Sequence, residues 1–126
     1  MNANGFSHAT TFSMIIAQLL ALECQNKGLT LKDFFEKSGI SQPTWSRIMR
    51  GQSKMSLEDL KNGCDSLELQ MSMIIDRAET IAKQLPKEDV KIVNPKDIQA
   101  DQNNGDLTKF VLASAALAFL ISKLMK

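Results

Sequence analysis

With 126 residues, 44% of them hydrophobic and 23% charged, the chain has room for one compact domain and an appendage but not for two full domains, and its composition excludes a disordered polymer. Tyrosine is absent and aromatic residues make up only 6%, so strand signals are scarce, while the abundance of Leu, Ile, Met, Ala, Lys and Glu predicts an all-α protein. A formal charge of +1 leaves no global basic footprint, so any affinity for nucleic acid has to rest on local charge.

Residues 1–12 are polar, contain Gly5 and show no periodicity, which predicts a flexible N-terminal arm. The start of the chain lacks the positive stretch and placement of apolar residues that mark a signal peptide, and the expected location is the cytoplasm. A first helix is expected over residues 13–26. Its Ile15, Ile16, Leu19, Leu20 and Leu22 cover more of the circumference than one core-facing stripe needs, so something must cover the surplus. Beyond Gly28, Thr30 is placed to cap a second helix. Asp33, three residues later, can return to that cap and favour the positive helix end. That helix runs to about Ser38.

Gly39-Ile40-Ser41 supplies a sharp turn, with Gly39 free to take positive φ, Ile40 as an apolar plug and Ser41 as the next N-cap. The third helix covers residues 42–50. Pro43 lies in its first turn, where a missing N–H costs little, and Gly51 ends it. Ser56 then caps a fourth helix over 57–67, with Asp59 three residues on. Met71, Ile74, Ile75, Ala78, Ile81, Ala82 and Leu85 recur at helical spacing and mark a fifth helix, closed by Pro86. Residues 13–85 thus form the expected globular domain. Residues 86–106 hold two prolines and Asn103-Asn104-Gly105, which predicts a linker with at most a short extended piece over 90–93. Residues 107–126 form a final helix that is apolar nearly all round.

The third helix carries the functional signal. At about 100° per residue, Trp45, Ile48 and Met49 fall together while Pro43, Ser46, Arg47 and Arg50 face the other way. Between Ser38 and Leu57 stand Arg47, Arg50 and Lys54 and no acidic residue, whereas residues 1–85 carry nine charges of each sign. Positive potential is therefore concentrated on the turn and this helix.

Residues 30–67 resemble the helix-turn-helix of the Cro and phage-repressor (XRE) family. Residues 30–41 correspond to its positioning helix and turn, residues 41–51 to its recognition helix, and Ser56-Leu57-Glu58-Asp59-Leu60 with Leu67 to the helix that follows. Two positions depart from the family pattern: Phe35 replaces a small residue packed against the recognition helix, and Leu31 stands where a phosphate-binding amide is common. The resemblance implies a five-helix lambda-repressor-like DNA-binding domain whose third helix enters the major groove. Its site would comprise Ser41, Gln42, Pro43, Thr44, Ser46, Arg47, Arg50 and Lys54. Arg47 can offer a fork to guanine O6 and N7, Gln42 can pair with adenine or clamp a phosphate, and Arg50 and Lys54 suit phosphates.

In the last helix the apolar run over 110–121, broken only by Ser114, falls short of the roughly 20 residues a membrane span needs, so a membrane is not expected as a partner. Small residues at 113–116 and 118 allow close helix approach. The sequence therefore predicts self-association through Phe110, Ala113, Leu117, Leu120, Ile121 and Leu124, although folding back on the first helix would cover the same faces. A homodimeric transcriptional regulator follows, acting as a repressor at a palindromic operator. The alternative is a protein-interaction module, an antitoxin or membrane-associated adaptor, that uses the C-terminal helix. Cys24 and Cys64 lie inside apolar helical patterns and are expected as buried thiols. Nothing in the spacing of His8 or the acidic residues indicates a metal, a cofactor, a small-molecule ligand or an enzyme's catalytic group.

Overall fold

The computed structural model describes residues 6–102 and 111–125, and for 99–102 the backbone alone. It is mostly helical, as the composition requires, and is organised around helix α1, Phe12–Asn26. Thr11 starts that helix by accepting the Met14 N–H on its hydroxyl at 3.0 Å. Every residue from Met14 to Leu20 is buried. The surplus apolar surface of α1 is covered from several sides by α2 (Leu31–Ser38), α3 (Gln42–Met49), α5 (Met71–Gln84) and α7 (Ser114–Leu124). Helix α4, Leu57–Ser66, packs on α2 and α5.

The N-terminal segment differs from the flexible arm expected up to residue 12. Strand β1, His8–Thr10, pairs in parallel with β2, Val90–Ile92, in the register His8↔Val90, Ala9↔Lys91, Thr10↔Ile92. Ala9 also bridges to Val111, and Leu112 donates its N–H to the Ala9 carbonyl at 2.7 Å. The strand therefore lies between two chain segments, and Ala9 and Thr10 are fully buried. Three residues are too few to show a period of two, and the partners lie some eighty residues or more away, so no local pattern reports this pairing.

The same holds for residues 86–102 of the segment expected as a linker; residues 103–106 of it lie outside the described residues. Leu85–Glu88 form a 3-10 turn, β2 follows, and α6 covers Pro95–Gln102. Asn94 donates its N–H to Asp97 Oδ2 at 3.2 Å and so begins α6. Ile98, an isolated apolar side chain in a polar stretch, is fully buried. It closes over Gly51, whose φ is +78°; a Cβ there would lie 2.8 Å from Ile98 Cδ1. Pro95 and Ile98 are the buried residues among 95–98, and two such positions leave no periodic trace.

The last helix begins at Ser114 rather than 107. Ala113 offers no side-chain cap, and Val111 is held by β1. The expected start over 107–110, with Phe110, lies outside the described residues. Helix α7 folds back on α1 within the chain, with Leu117 0% and Ile121 1% exposed. Those two side chains are therefore already occupied. Ala113 is exposed and Leu120 and Leu124 are half-buried. On the outward side stand Ala115, Ala116 and Phe119, the last 70% exposed. At the joint, Gln18 of α1, nearly buried, donates from Nε2 to the Ser114 carbonyl at 3.2 Å, to the Ser114 hydroxyl, and to Met49 Sδ at 3.9 Å.

Candidate nucleic-acid interface

Helices α2 and α3 are each set by their own sequence. Thr30 and Asp33 form a reciprocal cap: Asp33 N–H donates to Thr30 Oγ1 at 3.1 Å and Thr30 N–H to Asp33 Oδ2 at 3.1 Å. The hydrogen bond from the Thr30 backbone, followed by that from its side chain, holds the Asp33 carboxyl below the usual range. Gly39 turns the chain with φ +77° and returns its N–H to the Phe35 carbonyl at 2.9 Å, ending α2. Ile40, 2% exposed, plugs the turn. Ser41 then caps α3 by accepting the Thr44 N–H at 3.2 Å, and Pro43 sits in the first turn where its lack of an N–H is harmless.

One side of α3 is packed. Ile48 is fully buried and Trp45 is 4% exposed. The indole meets Phe34 edge-on at 5.2 Å between ring centroids and Phe35 at 5.9 Å. Phe35, larger than the residue the resemblance leads one to expect, is therefore accommodated by an aromatic contact, which adds stabilisation beyond the area it buries. It stands in the floor of a groove of ≈ 520 Å³ between α2 and α3, lined by Leu31, Lys32, Phe35, Gln42, Trp45, Ser46 and Met49.

The other side is open. Ser41, Gln42, Pro43, Arg47, Arg50 and Lys54 are exposed, and Thr44 and Ser46 are half-buried. Among the described residues no ion pair involves Arg47, Arg50 or Lys54. Arg47 instead donates from Nη2 to Thr44 Oγ1 at 3.4 Å, and Thr44 Oγ1 accepts the Ser41 hydroxyl at 2.8 Å. Arg50 reaches Gln52 Oε1 at 3.5 Å. All eight residues marked by sequence thus belong to α3, its cap or the loop after it.

Sequence reasoning did not single out Lys32, an exposed cation in the first turn of α2 that shares the groove with Gln42. Its signal was present, since the turn folds the start of α2 beside the start of α3. A second cleft, ≈ 340 Å³, joins Ser46, Met49, Arg50 and Gln52 to residues 111–114, a juxtaposition sequence alone could not show.

Cys24 and Cys64 are buried, and burial is the main reason both thiols are pushed up from their ordinary pKa. Such thiols are poor nucleophiles. No helix among the described residues is long and apolar enough to cross a membrane. Neither a curated protein nor a solved structure matches the chain significantly. Residues 15–71, from α1 to the first residue of α5, match a family model described as a helix-turn-helix domain, and the arrangement of α2, the turn at Gly39 and α3 agrees with that match.

Proposed function

We propose that the protein is a sequence-specific regulator of transcription that binds double-stranded DNA through α3, as a homodimeric repressor on a palindromic operator. The observation that carries this reading is the division of α3. Trp45 and Ile48 are locked in the core, while Arg47 and Arg50, with Lys54 just beyond, stand exposed on the same short segment, without an ion pair among the described residues.

A short capped helix with one packed side is held rigidly enough to present side chains at a fixed register, which base recognition needs. Arg47, in the middle of the exposed side, has a planar fork that fits the two acceptors of guanine. Gln42, Ser41 and Lys32 surround the amino-terminal ends of α2 and α3, where backbone N–H groups favour phosphate. One such helix contacts only a few base pairs. Two copies about a two-fold axis would read half-sites one helical turn, about 34–36 Å, apart.

The test is selection of bound sequences from a random duplex pool, followed by titration of the best site at several salt concentrations. A palindrome is expected. Arg47→Ala should weaken discrimination at one base pair by about 1–3 kcal/mol, and Arg50→Ala or Lys54→Ala should lower the salt slope by about one each. Absence of a preferred sequence, with Arg47→Ala binding as tightly as the parent, would overturn the reading.

A second reading, a protein-interaction module of the antitoxin or adaptor kind, is favoured by the outward side of α7. There Phe119 is 70% exposed and Ala115 and Ala116 lie beside it. A second copy of the chain would meet this outward side together with Ala113, Leu120 and Leu124. Leu117 and Ile121 are already engaged by α1.

A further inference from the structure

Residues 41, 44 and 47 lie three apart, on one row of α3 and its cap. The row is hydrogen-bonded from end to end. Ser41 Oγ accepts the Thr44 N–H at 3.2 Å and donates its proton to Thr44 Oγ1 at 2.8 Å, and Arg47 Nη2 donates to the same Thr44 oxygen at 3.4 Å. We propose that Thr44 is a positioning residue for Arg47, and that the Thr44–Arg47 pair presents only donors to a facing base edge, which selects guanine. This rests on the DNA-reading function proposed above.

A threonine hydroxyl has one proton and two acceptor sites, and a guanidinium has donors only. Thr44 spends both acceptor sites on Ser41 and Arg47, which leaves its own proton to point away from the helix. The Ser41 proton is already committed to Thr44. Every polar hydrogen-bonding function that Thr44 and Arg47 have left is therefore a donor.

In the major groove guanine shows two acceptors, N7 and O6, side by side. Adenine and cytosine each show an amino donor, and thymine pairs its single acceptor with a methyl group. A donor-only edge meets its full complement only on guanine; against adenine or cytosine it would set donor against donor.

Thr44 also limits where the arginine fork can go. An exposed arginine samples many rotamers and loses that freedom when it docks. A tether one turn toward the amino terminus holds the guanidinium over the first turns of α3, the part of a reading helix that meets base edges. Among the described residues no carboxylate forms an ion pair with Arg47 that would draw it elsewhere. The bond is long at 3.4 Å, and a lower local dielectric on docking would strengthen it.

The experiment uses the full chain with Thr44→Val, which keeps the branched shape and the backbone N–H that Ser41 caps, and Thr44→Ser, which keeps the hydroxyl. Each is tested against the selected operator and against versions with the guanine facing Arg47 replaced by the other bases, in the parent and in an Arg47→Ala background. Thermal unfolding confirms that each variant is folded. Thr44→Val should lower the preference for guanine by about 2- to 10-fold, and Thr44→Ser should retain it. In the Arg47→Ala background Thr44→Val should change nothing further.

Undiminished guanine preference in Thr44→Val, or an equal loss in both backgrounds, would overturn the proposal while leaving the DNA-reading function intact. A parent that selects no sequence, or that is unaffected by Arg47→Ala, would overturn both.

Discussion

Helices α3 and α7 are both short, and both bury two residues completely or nearly so, Trp45 and Ile48 in one, Leu117 and Ile121 in the other. They differ in what holds their ends and in what they leave outside. Ser41 caps α3 with its own side chain, whereas Ala113 gives α7 no such bond. At 11 residues α7 is below the length at which an isolated helix persists in water, so its order depends on α1 beneath it. Outside, α3 shows Gln42, Arg47 and Arg50, while α7 shows Ala115, Ala116 and Phe119. Exposed polar groups cost the fold nothing; apolar surface left in water forgoes about 25 cal/mol per Å². The contrast teaches that one surface is suited to a charged, hydrated ligand and the other to an apolar partner.

The sharpest way to break this comparison is to weaken each helix on its buried side. Leu117→Ala should lower stability by about 2–5 kcal/mol in urea unfolding, because α1 cannot collapse into the space left behind. Arg47→Ala should stay within about 0.5 kcal/mol of the parent. If Arg47→Ala proves as destabilising as Leu117→Ala, the cationic side of α3 is part of the fold rather than a free surface.

The outward side of α7 is tested next. Phe119→Ser should reduce the solution mass from two copies to one in sedimentation, with the unfolding midpoint of the monomer unchanged, if a second copy covers that side. This variant is more informative than removal of residues 107–126, which would also strip the cover from α1. A mass insensitive to Phe119→Ser would assign the apolar side to something other than self-association.

The smallest effect concerns the cap that sets α2 against α3. Because the Thr30 backbone N–H and hydroxyl hold the Asp33 carboxyl below its ordinary range, this cap contributes stability that is complete above the usual aspartate pKa of about 3.9. The contribution is lost as pH falls through the lowered value. An NMR titration should place Asp33 below the other exposed aspartates, and Asp33→Asn should reduce the acid sensitivity of the unfolding midpoint. An Asp33 that titrates at the ordinary value would show that the cap does not persist in solution.

Much of the helix-turn-helix was legible in the sequence because its determinants are local. Thr30 with Asp33, Gly39, Ile40 and Ser41 each act within four residues of the bond or turn they make. The period of Trp45, Ile48 and Met49 predicted which side of α3 would pack. The edge-on contact of the half-buried Phe35 with Trp45 was not legible, because a large ring in place of a small one reports only that the packing must change. The row from Ser41 through Thr44 to Arg47 was half legible, since spacing puts the residues in line but does not say which atom donates to which.

By itself the sequence determined the helices α1 to α5, the caps of α2, α3 and α4, the turn between α2 and α3, and the concentration of cationic side chains on α3, because each follows from nearest neighbours or from a helical period. Tertiary structure alone decided that residues 8–10 form a strand, that Ile98 closes over Gly51, and that α7 lies on α1 with Gln18 fastening Ser114. The reason is distance along the chain. These contacts join residues roughly fifty to one hundred positions apart, where a three-residue strand or a single buried isoleucine leaves no pattern, and only the shape of the surfaces brought together selects the partner.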